Sequence, residues 1–215
     1  MANMSRPGRN RSLGKGRFEA FSDGVLAIAI TILVLDLAVH PPGSPLDQFL
    51  QAWPAYLAYV VSFLTIGVTW IGHTAITDRL THVDTTLMRL NLLFLMAVSF
   101  LPFPTRMVAE SLHESTGAQR VAAVVYGLTL LWIRLMFMVL DGHARRAHLF
   151  EKGAADEDLQ DARSKASYVI VAYLVTIGLG MIFPLAAILI YFAIGVVLII
   201  PFHAAAQALR HRSGR

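Results

Sequence analysis

Long apolar runs alternate along this chain with short, polar or turn-rich breaks. The first run, Ala20 to Val39, stops at His40-Pro41-Pro42-Gly43-Ser44-Pro45, a sequence that breaks helices. The second runs from about Tyr56 to Ile76, and the third from about Leu87 to Phe103, ending at Pro102-Phe103-Pro104. The fourth covers Val121 to Leu140. A fifth, Ser167 to Phe183, and a sixth, Leu185 to Ile200, are parted only by Pro184 and predict a tight helical hairpin. Apolar runs of roughly 18 residues are long enough to span a bilayer as helices. The pattern predicts an all-α membrane protein of six spans, with domain bounds 20–203. A basic segment, 1–19, precedes it and a basic tail, 204–215, follows.

Charge then orients the spans. The N-terminal segment, the loops after spans two and four, and the C-terminus together hold fifteen of the eighteen Lys and Arg. The opposite loops hold only Arg106 and Arg120. The positive-inside rule puts both termini in the cytoplasm of a cell-membrane protein. Trp53, Tyr56 and Tyr59, near the outer end of span two, read as interfacial anchors. A net charge of +4 reflects these loops and gives no reason to expect nucleic acid. The mean hydropathy of +0.59 lies outside the soluble range. The first run lacks a small-residue cleavage site, so it is expected to remain as a helix.

Enzyme chemistry has no visible seat. The chain has no cysteine, so it has no disulfide, thiolate nucleophile or Cys-ligated metal. It has no Walker loop, no His-Glu-x-x-His and no Asp/His cluster at metal-ligand spacing. No cofactor is expected. A Thr-Val-Gly-Tyr-Gly filter loop is also missing. Arg134, midway in span four, calls for a partner on another helix or for snorkelling.

The first span carries the most information. At 100° per residue, with Ile28 at zero, Ile32 falls at about +40°, Leu35 at −20°, Thr31 at −60° and Gly24 at −40°. These five make one stripe, which fits a pore lining or an ordinary packing or lipid-facing surface. Asp23 falls near −140°, facing away from it. A carboxylate in a span is costly unless partnered. Trp70, His73, Thr74, Asn91 and Arg17 lie at its depth and predict a buried polar network. The alternative is a proton relay through Asp23 and His73, the basis of a proton-coupled secondary transporter.

Arg17-x-x-x-Phe21-Ser22-Asp23, followed by Ala27-Ile28-x-x-Thr31-x-Leu33 and a Pro-containing loop, resembles the signature of bacterial homologues of the lysosomal potassium channel transmembrane protein 175. Trp70-x-x-His73, Asn91-Leu92-Leu93 and Pro102-Phe103-Pro104 resemble the same family. The resemblance covers all six spans and is densest in the first three. It implies a homotetramer in lipid, with four first helices around a central pore and no re-entrant filter. Potassium, and other monovalent cations with it, would pass an aliphatic constriction. Ile28 matches the main constriction, Thr31 a hydroxyl layer proposed for selectivity, and Ile32 and Leu35 further aliphatic layers, so that potassium passes transiently near Ile28 and Thr31. Arg17, Phe21, Ser22, Asp23, Trp70, His73 and Asn91 match the motif and the network that holds the first helix.

Overall fold

A computed structural model describes residues 14–35, 37, 44–111, 114–151 and 157–212. These fold into eight helices: α1 (Lys15–Leu35), α2 (Pro45–Gln51), α3 (Trp53–Thr77), α4 (Thr85–Phe100), α5 (Pro102–Ser111), α6 (Thr116–Arg146), α7 (Glu157–Gly180) and α8 (Pro184–Arg212). The only β pairing among the described residues is one isolated bridge, Leu80 with Phe150. Four segments are long and apolar enough to cross a membrane: Lys15–Leu35, Ala55–Thr77, Thr85–Ser111 and Thr116–Arg146. Ser167–Gly180 and Pro184–Leu198 are shorter apolar helices.

Local chemistry sets the breaks. Asp84 caps α4 by accepting the Leu87 amide at 2.6 Å. Ser115 does the same for α6 from Ala118. Proline opens α5 and α8, where its missing N–H costs nothing. The third span is therefore two helices joined through Leu101 rather than one helix ending at Phe103. Leu101 caps α4, yet its carbonyl still accepts the Thr105 amide at 3.1 Å, so helical bonding resumes and continues to Ser111. The sixth helix also runs past Ile200, through Pro201 to Arg212. The expected hairpin is present. Gly180 ends α7, and the Phe183 carbonyl receives the Ala187 amide of α8 at 3.1 Å. The basic stretch 1–13 and the loop residues 38–43 lie outside the described residues.

Helix α1 leans on α3 and α4, α6 on α4, α5 and α7, and α8 on α3 and α7. At the N-terminal end of α1, the loop between α3 and α4 is tied to the connection after α6. The Thr81 amide and hydroxyl both donate to the Leu149 carbonyl, at 2.8 and 2.9 Å. The Asp84 carboxylate also meets the His143 ring at 2.9 Å. Burial works against the Asp84 charge, but the Leu87 amide and His143 outweigh it and hold the carboxyl below its ordinary range. A lowered pKa stabilises the fold above the unfolded value of about 4. That contribution is lost as pH falls through the folded value.

The core holds polar groups that have partners. Ser62 of α3 bonds Thr105 of α5 at 2.7 Å and Tyr126 of α6 at 2.9 Å, all buried. Nearby, α6 comes so close to α7 and α8 that only glycine fits at 127. A Cβ there would run into the Tyr191 hydroxyl and sit 2.7 Å from Ile177 Cγ1. Gly127→Ala should destabilise by about 1–3 kcal/mol, the usual range for overpacking. Adding Tyr191→Phe removes the nearest obstructing atom and should recover part of that loss. Thermal unfolding in detergent reads both. A Gly127→Ala midpoint equal to that of the parent chain would mean that α6 has room for a methyl group against α7 and α8.

Candidate ion pathway and its supporting network

Helix α1 buries Phe18, Ser22, Leu26, Ala29 and Leu33, spaced by threes and fours. This is the face that meets α3 and α4. The opposite face is left uncovered by the chain's own helices. Gly24 and Thr31 are exposed there, with Ile28 at 61%, Ile32 at 41% and Leu35 at 70%. The five stripe positions thus share one uncovered surface about 16 Å long, at 1.5 Å per residue. A Cβ built on Gly24 meets nothing within 4 Å. The Thr31 hydroxyl donates to the Ile28 carbonyl at 2.9 Å. Its proton is used within the helix, and its lone pairs remain free on the exposed side.

The polar residues of the motif do not form the single buried network expected. They form two. Ser22, His73 and Asn91 are buried, His73 to 1% exposure. His73 Nε2 lies 2.9 Å from Asn91 Oδ1, the Asn91 amide donates to Ser22 Oγ at 2.8 Å, and Ser22 donates to the Phe18 carbonyl at 2.9 Å. The amide nitrogen of Asn91 can only donate, so its Oδ1 must accept from a protonated His73 Nε2. Phe94 stacks on the His73 ring at 5.5 Å and Phe18 at 6.0 Å. One histidine thereby joins α1, α3 and α4.

Asp23 is exposed, not buried, and its partner is neutral. The Trp70 indole N–H donates to Asp23 Oδ1 at 2.9 Å. Among the described residues no ion pair joins Arg17 to Asp23, and no hydrogen bond joins Asp23 to His73. The neighbour of His73 is an amide, which does not titrate. Phe21 is 53% exposed and takes no part in the buried network. Ser22 was legible only as part of a motif. Its inward place follows from the four-residue spacing to Phe18 and Leu26.

Among the described residues no ion pair joins Arg134 to a carboxylate. Its guanidinium carbon lies 5.9 Å from the Phe137 ring centre, and its Nε has no hydrogen-bond partner among the described residues. No group of three or more His, Asp or Glu able to hold a metal ion occurs among those residues either.

The family model described as endosomal/lysosomal potassium channel TMEM175 matches residues 17–102, the segment that holds the stripe and both networks. A potassium channel of Streptomyces collinus is 43% identical over 171 residues, covering 78% of this chain and 82% of the relative. One from Chamaesiphon minutus is 41% identical over 155 residues, covering 70% and 75%. The crystal structure of a lysosomal potassium-selective channel TMEM175 homologue from Chamaesiphon minutus superposes with a TM-score of 0.76 at 35% identity. It covers 87% of this chain and 97% of that one. This chain, a multi-pass membrane protein and not an enzyme, belongs to the TMEM175 family of potassium channels.

Proposed function

We propose that four copies of this chain surround a central pore lined by α1 and pass potassium down its electrochemical gradient. The observation that carries this reading is the uncovered apolar face of α1, with Ile28 and Leu35 among the most exposed large aliphatic side chains. A cyclic arrangement brings four such faces together around one axis. Ile28, Ile32 and Leu35 then form aliphatic layers that close the path by excluding water, and opening moves the helices apart. Six crossings fit this arrangement, with α4 and α5 together forming one crossing and both termini cytoplasmic. The lopsided distribution of Lys and Arg supports that orientation. The names of the bacterial relatives support potassium as the permeant ion.

Thr31 would supply the oxygen layer. Its hydroxyl proton is held by the Ile28 carbonyl, so the oxygen can offer lone pairs toward the axis to a partly dehydrated cation. Thr31→Val keeps the shape and removes the oxygen. The expected result is a lower potassium-to-sodium permeability ratio with unchanged assembly, because the residue lies outside the packed face of α1. Purified protein in planar bilayers, under potassium/sodium bi-ionic conditions, gives the ratio from the reversal potential. A reversal potential shared by Thr31→Val and the parent chain would remove the hydroxyl layer from the account.

A further inference from the structure

The stripe on α1 does not begin at Gly24. On the same wheel Phe21 falls at about +20° and Arg17 at about −20°, both in line with Ile28. Both are exposed. The other three charged residues of α1 lie elsewhere: Lys15 near +140°, Glu19 near 180° and Asp23 near −140°, all about on the half that faces away from the stripe. Each of these three is also engaged within the chain. Lys15 donates to the Asp78 carbonyl at 3.0 Å and lies 3.8 Å from Glu19, while Asp23 accepts from Trp70. Arg17 is the one charged side chain of α1 on the stripe, and it has no partner among the described residues.

We infer that Arg17 sets the electrostatic potential of the pore mouth at the N-terminal end of α1, and so makes potassium flux asymmetric. The inference rests on the α1-lined tetramer proposed above. Four copies of α1 then place four guanidinium groups around the axis, about 16 Å along the helix from Ile28. A potassium ion arriving from that side meets a ring of like charge before it reaches the aliphatic layers. An ion arriving from the other side does not. The Asp23 carboxylates do not cancel this field, because they lie about 120° around the helix and about 9 Å further along it, and are turned toward Trp70. At 0.1 M salt the screening length is about 10 Å, so the nearer charge dominates.

The ring acts on access, not on the constriction. Its effect therefore grows as salt is lowered and vanishes when salt is high. Arg17→Gln should increase the current carried by potassium from the N-terminal mouth at least about twofold at roughly 0.02 M symmetric potassium chloride, and by less than about 1.2-fold at 1 M. Arg17→Lys should keep the parent behaviour.

The chain has no cysteine, which permits a second measurement on channels already assembled. In Arg17→Cys, a positively charged thiol reagent should restore the parent asymmetry, and a negatively charged one should invert it. The side of the bilayer from which such a reagent acts defines the N-terminal mouth. Equal currents from that mouth in Arg17→Gln and the parent chain at low salt, with Arg17→Cys indifferent to reagent charge, overturn the inference. Failure of both Arg17→Gln and Arg17→Cys to assemble overturns it too, because Arg17 is then a contact between copies. Ile28→Asn, recorded alongside, separates the two levels. If Ile28→Asn alters current and the Arg17 variants do not, the mouth inference alone fails. If neither position matters, the α1-lined pore fails with it.

Discussion

Ile28→Asn should raise current by on the order of tenfold and bring the potassium-to-sodium permeability ratio toward unity. A constriction made of aliphatic side chains holds back ions because water leaves it, and an ion cannot cross without its hydration shell. An amide at that level gives water hydrogen-bonding groups, and cations a carbonyl oxygen, on every subunit. Lowering the barrier by only about 1.4 kcal/mol gives a tenfold change in rate. The fold should tolerate the substitution. Ile28 is 61% exposed in the protomer and is not among the buried residues of α1, so little packing is lost. Substitutions at such positions usually change stability by less than about 0.5 kcal/mol. Bilayer recording of the assembled variant gives both current and reversal potential. If both match the parent chain, the exposed face of α1 is a lipid or packing surface and the pore lies elsewhere.

The sequence exposed the helices and their faces more fully than the contacts between them. Helix α1 was readable because an uninterrupted apolar run ends in a Pro/Gly loop, and its stripe because one helix repeats every 3.6 residues. The hairpin of α7 and α8 was readable from Pro184 alone. Helix α2 was not, because at seven residues it is too short to show a period. Pro102 reads as a stop in the sequence, but helical structure resumes at it and runs to Ser111. A proline ends a helix or starts the next one, and only the carbonyl of Leu101 accepting from Thr105 tells the two apart.

The polar residues show the same limit. Depth along the membrane grouped Asp23, Trp70, His73 and Asn91 correctly, because spans of similar length bring like depths together. Depth does not decide pairing. One residue of rotation separates Ser22 from Asp23, and that step sends the hydroxyl into the core and the carboxylate to the surface. The bonds from Ser62 to Thr105 and to Tyr126 are not legible in the sequence either. Hydroxyl residues inside apolar spans were the available signal, but nothing local shows which of them meet. The consequence for Asp23 is direct. Its loss removes one bond to an exposed indole, not half of a buried ion pair, so the stability penalty moves to its neighbours in the core.

Asn91→Leu should therefore be the most destabilising single change in the motif. Leucine fills similar space, but it leaves the His73 Nε2 proton and one side of the Ser22 hydroxyl without partners in a core closed by Phe18 and Phe94. Hydrogen bonds between membrane helices average about 0.6 kcal/mol and reach about 1.7, because the unfolded chain in lipid also finds partners. Two such bonds, and a stranded donor that costs about 1–3 kcal/mol, predict a loss of roughly 2–4 kcal/mol. The loss should appear as lower thermal stability of the assembled protein and lower yield. The ion pathway should be affected only as far as α1 shifts. Combining Asn91→Leu with His73→Phe isolates the cause. Phenylalanine keeps the stacked aromatic layer and removes the stranded donor, and replacing both partners with apolar groups is often nearly neutral. The double variant should be more stable than Asn91→Leu alone. If it is less stable by the sum of the two single losses, the two residues act independently. The bond between α3 and α4 would then not be what holds α1 in register.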